Sequence, residues 1–265
     1  MLFYVPDIAS NRQLPEPEAH HCLKVLRMQP GDILRLTDGK GNFYQAEIAE
    51  IHLNRCRVNL LETIPQHPLW KGRIEIALAP TKNSDRIEWF VEKATETGID
   101  KISFLRCRFS ERKEMSTDRI RKIAISAMKQ SEKARLPELQ AMTDFGEFIR
   151  RGFEGQKFIA HCYPDEKIPL AQAYRENENV LILIGPEGDF SEEEIKAAKE
   201  LGFIPVSLGE SRLRTETAAL FACQTIHIVN QMNFTPKFPK GTLPRDNIQN
   251  HFANSPFREA EGNKI

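Results

Sequence analysis

Paired cysteines are missing from this 265-residue chain. Cys22, Cys56, Cys107, Cys162 and Cys223 stand far apart, with no C-x-x-C pair and no cysteine–histidine group at zinc spacing. That pattern argues against a disulfide scaffold and a zinc module. Reduced thiols are expected, most of them small buried apolar groups, and no metal. Long hydrophobic runs are missing too. Val180–Ile184 is among the longest, far short of the roughly 20 residues a membrane helix needs, so no membrane association is expected. The opening MLFYVPDIAS has no basic start and carries Pro6 and Asp7 early, which reads as no signal peptide and a cytoplasmic protein. With 16 prolines and 14 glycines the chain is neither collagen-like nor of low complexity. Net charge is absent as well, 37 basic groups facing 37 acidic ones.

What is present is an ordinary globular composition, 40% hydrophobic and 28% charged, with length for two domains at about 150 residues each, or for one large domain with a small attachment. The zero net charge conceals segregation. Residues 71–137 hold 16 basic and 10 acidic groups, whereas 138–203 hold 7 and 14. Within the first block, 101–137 carries 11 basic against 4 acidic residues. A local basic region on a neutral protein attracts a polyanion such as RNA, although a solvated helix face has the same composition.

Residues 1–64 alternate in short segments broken by turn signals. Ile33–Thr37, 43–51 and 55–61 read as strands, and Asp38-Gly39-Lys40-Gly41-Asn42 as a turn. This spacing predicts a small β-barrel or sheet, with a helix within 16–28. Pro65-Gln66-His67-Pro68 reads as a linker. From Arg73 the rhythm becomes strand–helix alternation. Strands are expected at 74–79, 102–105, 157–160, 180–184 and 203–208. Helices are expected from a Ser84 cap to Gly98, from a Ser116 cap to an end marked by Pro137, from the Ser191/Glu194 capping box to Gly202, and over 215–231. This is an α/β pattern with a mostly parallel sheet, at 69–232, following a module at 1–68. Residues 233–265 read as a poorly ordered tail.

Two segments carry chemistry. Leu181–Ser191 runs from a buried strand through Gly185-Pro186-Glu187-Gly188-Asp189 into a helix N-terminus. In open α/β sheets ligands bind just outside such strand ends, and Gly185 and Gly188 let a backbone approach closely. A phosphate loop is rejected, because no Lys-Ser/Thr follows and Glu187 and Asp189 repel an anion. The alternative is a plain strand-to-helix turn. The second segment, Leu208-Gly209-Glu210-Ser211-Arg212-Leu213-Arg214-Thr215-Glu216-Thr217-Ala218, also leaves a strand and opens a helix. Helix capping accounts for Thr215 or Thr217, and the helix dipole for Glu216. Neither accounts for Arg214, a cation at the wrong helix end.

The pair GPEG (185–188) and LGxxxLRTETA (208–218) resembles the small-subunit ribosomal RNA methyltransferase E family, of the SPOUT class. His21-Cys22-Leu23-Lys24-Val25-Leu26-Arg27, Lys93-Ala94-Thr95-Glu96-Thr97-Gly98 and Gln130-Ser131 with Arg135-Leu136-Pro137 agree in order, so the resemblance spans about 1–231. Asp189 stands where the family usually has a second glycine. Ser211-Arg212, Thr97 and Lys133 are further departures.

The resemblance implies a trefoil-knotted parallel-sheet domain preceded by a PUA-like RNA-binding barrel, and a homodimer. The implied activity is S-adenosylmethionine-dependent methylation of N3 of a uridine in 16S ribosomal RNA of the small subunit. It implies cofactor contacts from His161, Leu183, Gly185, Gly188, Leu208, Gly209, Leu213 and Thr215. Arg214 would stabilise charge on the uracil, and Glu187 or Glu216 would accept its proton. His161 reads as a loop histidine rather than a base. RNA contacts are expected from Arg12, Lys24 and Arg27 and from Arg86, Arg108, Arg112, Arg121 and Lys129. A SPOUT enzyme acting on another ribosomal or transfer RNA base, or a non-catalytic assembly factor, shares these features.

Overall fold

The computed structural model describes residues 1–68 and 70–232. The tail expectation at 233–265 lies outside the described residues. Among the described residues no helix is long and apolar enough to cross a membrane.

The N-terminal part is a four-stranded sheet in the order β1 (Leu2–Tyr4), β2 (Ile33–Thr37), β3 (Asn42–His52), β4 (Arg55–Pro65). The first pair is parallel and the others antiparallel. Alternation sends Leu34, Leu36, Tyr44, Ala46 and Val58 to one core. Between β1 and β2, Pro17 in its first turn starts helix α1 (Glu16–His20), which continues as a π-helical turn over His21–Val25. The turn between β2 and β3 closes on Asp38, whose carboxylate accepts Lys40 N (2.7 Å), Asn42 N (3.1 Å) and Tyr44 OH (3.1 Å).

The second sheet has seven parallel strands: β5 (Ile74–Leu78), β6 (Lys101–Arg106), β7 (Glu138–Asp144), β8 (Gln156–Ala160), β9 (Ile168–Pro169), β10 (Val180–Ile184) and β11 (Ile204–Ser207). Their order is β7-β6-β5-β10-β8-β11-β9, all neighbours parallel. Helices α2 (Ser84–Thr97), α3 (Thr117–Gln130), α5 (Leu170–Ala173) and α7 (Thr215–Met232) cover one face, packing Phe90, Ile120, Leu170 and Ile226 on Ile76 and Ile182. Helices α4 (Phe145–Arg150) and α6 (Glu192–Glu200) cover the other, with Phe148 and Ile195 against Leu181 and Leu183. Burial on both faces is why β10 is apolar at every position.

Two local expectations need correction. Helix α2 is capped by Asn83, whose Oδ1 accepts Asp85 N at 2.9 Å, and Ser84 is its first helical residue. Helix α3 does start after Ser116, but it ends at Gln130, well before Pro137. Glu132 turns left-handed there (φ 52°), and the chain crosses to the N-terminal sheet. That crossing also changes the reading of 65–68. Gln66 Oε1 accepts Ala134 N (2.8 Å), Gln66 N donates to Gly41 O (2.8 Å), and Gly41 N donates to Ala134 O (2.8 Å). With Lys129–Glu18 (2.7 Å) and Arg35–Glu132 (2.7 Å), these contacts join the two sheets into one compact unit through Gln231.

Candidate active site

Strands β10, β8 and β11 are neighbours, and their C-terminal ends release three loops side by side. The loops after Ala160, Ile184 and Ser207 surround a cavity of about 800 Å³, within the range of small-molecule sites. This is where an open parallel sheet offers its strand-end crevice.

The middle loop is tightly built. A Cβ on Gly185 would lie 3.1 Å from Phe190 N and 3.2 Å from the Asp189 carbonyl carbon, so no side chain fits without moving the loop. A Cβ on Gly188 would lie 3.1 Å from Phe109 Cβ. The loop ends in the expected capping box: Ser191 Oγ accepts Glu194 N (3.3 Å) while Glu194 Oε2 accepts Ser191 N (2.8 Å). Glu194 Oε1 also accepts Arg108 N (2.9 Å), tying in the 107–110 turn.

On the first loop, His161 is buried against the cavity with both ring nitrogens unpartnered. Burial, reinforced by the Lys167 charge, lowers its pKa below the usual histidine value. Lys167 Nζ donates to the His161 and Tyr163 carbonyls (2.8 Å each) and fixes the loop. A neutral imidazole presents one donor and one acceptor, and a buried pair without partners is what a polar ligand edge would satisfy.

On the third loop, Leu208, Gly209, Leu213 and Arg214 line the cavity. Arg214 is exposed, and its guanidinium enters none of the ion pairs among the described residues. Thr215 is not a cap. It is the first residue of α7, and its Oγ1 donates to Gly185 O at 3.0 Å, seating the helix against the middle loop.

Some expected residues lie elsewhere. Leu183 points into the α4–α6 core, fully buried, because alternation along β10 leaves Ile184 to face the cavity. Glu216 lies outside the cavity lining. Its Oε1 is 3.8 Å from Arg86 Nε, and its buried Oε2 has no partner. Glu187 does line the cavity, with Oε1 3.9 Å from Arg86 Nη1 and accepting Lys82 N at 3.3 Å. Arg86 therefore sits between two carboxylates.

Arg112 is similarly committed, donating to the Thr81 (3.2 Å) and Lys82 (2.8 Å) carbonyls. Lys129 is neutralised by Glu18, Arg121 donates to Tyr4 OH (3.3 Å) and Arg12 to Ile8 O (2.9 Å). Lys24 and Arg27 stay exposed, and Arg108, also exposed, lies 3.8 Å from Glu193 Oε2. Lys167, the double role of Arg86 and the bonding of Asp189 carry no pattern in the sequence. The Asp189 departure from glycine was the one signal available.

Two family models match the chain: an RNA methyltransferase domain over residues 68–227 and an RNA methyltransferase PUA domain over residues 14–61. The chain belongs to the RNA methyltransferase family. A probable rRNA methyltransferase from Porphyromonas gingivalis is 46% identical, with a TM-score of 0.82 over 87% of this chain and 98% of that one. Ribosomal RNA small subunit methyltransferase E from Synechocystis is 29% identical, covering 81% of this chain and 72% of the relative. The enzyme of the same name from Neisseria gonorrhoeae, solved bound to S-adenosyl methionine, is 26% identical. Its TM-score is 0.74 over 86% of this chain and 97% of that one. The fold is accordingly that of SPOUT-type methyltransferases with a PUA-like N-terminal part.

Proposed function

We propose that this protein transfers a methyl group from S-adenosylmethionine to N3 of a specific uridine in 16S ribosomal RNA of the small subunit, in the cytoplasm. The observation that carries the reading is the single cavity at three strand ends, with an unpartnered imidazole on one wall and a cation at a disfavoured helix end on another. Relatives named for small-subunit ribosomal RNA, and a related structure holding the cofactor, support it.

The cofactor's sulfonium supplies an already activated methyl group. His161 would hold a polar edge of its nucleoside, and Leu208 and Leu213 a flat apolar face. Arg214 stabilises the negative charge that grows on the uracil oxygens as N3 loses its proton. Glu187 is the candidate proton acceptor, since it reaches the cavity and its contacts all fall on Oε1, leaving Oε2 open. Glu216 instead anchors Arg86, which holds Glu187 in place.

Residues 1–68 serve RNA binding and 69–232 methyl transfer, with the exposed Lys24 and Arg27 as phosphate contacts and Arg108, beside Glu193, as a further one. A homodimer through α7 fits its exposed face, where Phe221 (48% exposed) and Ile228 (51%) stand two turns apart. A trefoil-knotted path belongs to the same reading.

Mass-spectrometric mapping of 16S RNA from a strain lacking the gene should reveal one uridine without its N3 methyl group. An unchanged profile, or a methyl group lost from a different base or a transfer RNA, would refute the assignment.

A further inference from the structure

Asp189 adopts a left-handed backbone conformation (φ 64°), which is unfavourable for any residue but glycine and least so for asparagine and aspartate. Something must hold it there, and both carboxylate oxygens are engaged. Oδ1 accepts Phe190 N at 2.8 Å within its own loop. Oδ2 accepts Cys162 N at 2.6 Å, across 27 residues of sequence and from a different strand end. Cys162 follows the last residue of the β8 ladder by two positions and immediately follows His161. Its amide has no other partner in this structure. Asp189, Cys162 and His161 all line the same cavity. Charge-assisted bonds of this length are the stronger kind.

We infer that Asp189 is a positioning residue for the cofactor cavity: its carboxylate ties the first loop to the middle one and so fixes where His161 stands. The assignment rests on the cofactor reading above. It makes the left-handed strain part of the site's construction, because a glycine here would relieve the strain and lose the tie. Stability and ligand affinity are then set against each other at one position, an arrangement a plain turn residue does not produce.

The test uses Asp189→Gly and Asp189→Asn in the full chain, with three readouts. These are the melting temperature, hydrogen exchange at the Cys162 amide, and calorimetric titration with S-adenosylhomocysteine. Asp189→Gly should keep or raise the melting temperature and free the Cys162 amide to exchange. It should weaken S-adenosylhomocysteine by about tenfold, the effect of one charge-assisted hydrogen bond. Asp189→Asn should lie between, since asparagine tolerates the backbone conformation and retains one acceptor oxygen.

Unchanged affinity in the glycine variant would overturn the assignment. So would a melting temperature several degrees lower, which would make Asp189 a folding residue. A wild-type protein that gives no heat with S-adenosylhomocysteine would instead overturn the cofactor reading, and this inference with it. A Cys162 amide that exchanges freely in the wild type would sink the tie alone.

Discussion

The two glycine-bearing loops of the site leave neighbouring strand ends and are built in opposite ways. The 185–190 loop is braced on several sides: it is bonded to Cys162 through Asp189, Gly188 packs against Phe109 with no room for a side chain, and a reciprocal cap leads into α6. In the 208–214 loop, the hydrogen bonds among the described residues before Arg214 are local ones between Ser207 and Gly209. Residues 209–212 and Arg214 are exposed. Segments with few buried contacts and exposed backbone open at low free-energy cost, whereas braced ones open only with the fold. On the proposed reading the braced wall is the one that fixes where the cofactor sits. On the same reading the open wall adds Leu208 and Leu213 to the cofactor's apolar face and presents Arg214 to the incoming base.

The largest effect should come from breaking the braced wall. Gly185→Val places branched carbons where even a Cβ lies 3.1 Å from Phe190 N, so S-adenosylhomocysteine binding should vanish from calorimetric titrations. A retained heat would move the cofactor elsewhere.

Breaking the chemistry on the open wall comes next. Arg214→Ala should slow single-turnover methyl transfer by about a hundredfold or more, with cofactor affinity and melting temperature unchanged. Arg214→Lys should recover only part, because a point charge does not replace a planar fork of donors.

Acid should then loosen the helix that carries the open loop. Burial, with a smaller contribution from Lys133, lowers the His227 pKa to about 4. A histidine with a depressed folded pKa stabilises fully above its unfolded value, about 6.5, and less as pH falls towards the folded one. Between pH 7 and 5 this costs about 2 kcal/mol. His227→Phe keeps a ring against Trp70, whose centroid lies 4.9 Å away, and should remove that slope in urea unfolding at the two pH values. The smallest effect should come from Thr215→Val, which cuts the bond between the two walls. A loss of about 1 kcal/mol is expected, with a few-fold weaker cofactor binding by calorimetry.

The core strands were legible because β10 is apolar at every position and β5 at every position but Glu75, a signal that needs no partner to be read. Strand β7 was missed because it is the sheet edge and only half-buried, so Glu138–Asp144 shows no period. β1 and β9, at three and two residues, are too short to carry a pattern. The α2 cap was displaced by one residue because Asn83 and Ser84 are both good capping types.

In the site, loops following strands could be read along the chain, and they placed His161, Gly185, Gly188, Leu208 and Arg214 at the cavity. Leu183 was lost to strand alternation, which shifts a side chain to the opposite face with each residue. The pairing of Arg86 with Glu187 and Glu216 was not legible because those partners lie about a hundred residues or more along the chain, and only the folded sheet brings them together.

The central claim is most directly tested by incubating the purified protein with small ribosomal subunits lacking the mark and S-adenosylmethionine, then digesting the RNA for nucleoside mass spectrometry. The account predicts 3-methyluridine at a single site in 16S RNA. It predicts an initial rate lower by about a hundredfold or more for Arg214→Ala. A methyl group on any other base, or wild-type rates from the alanine variant, would contradict it.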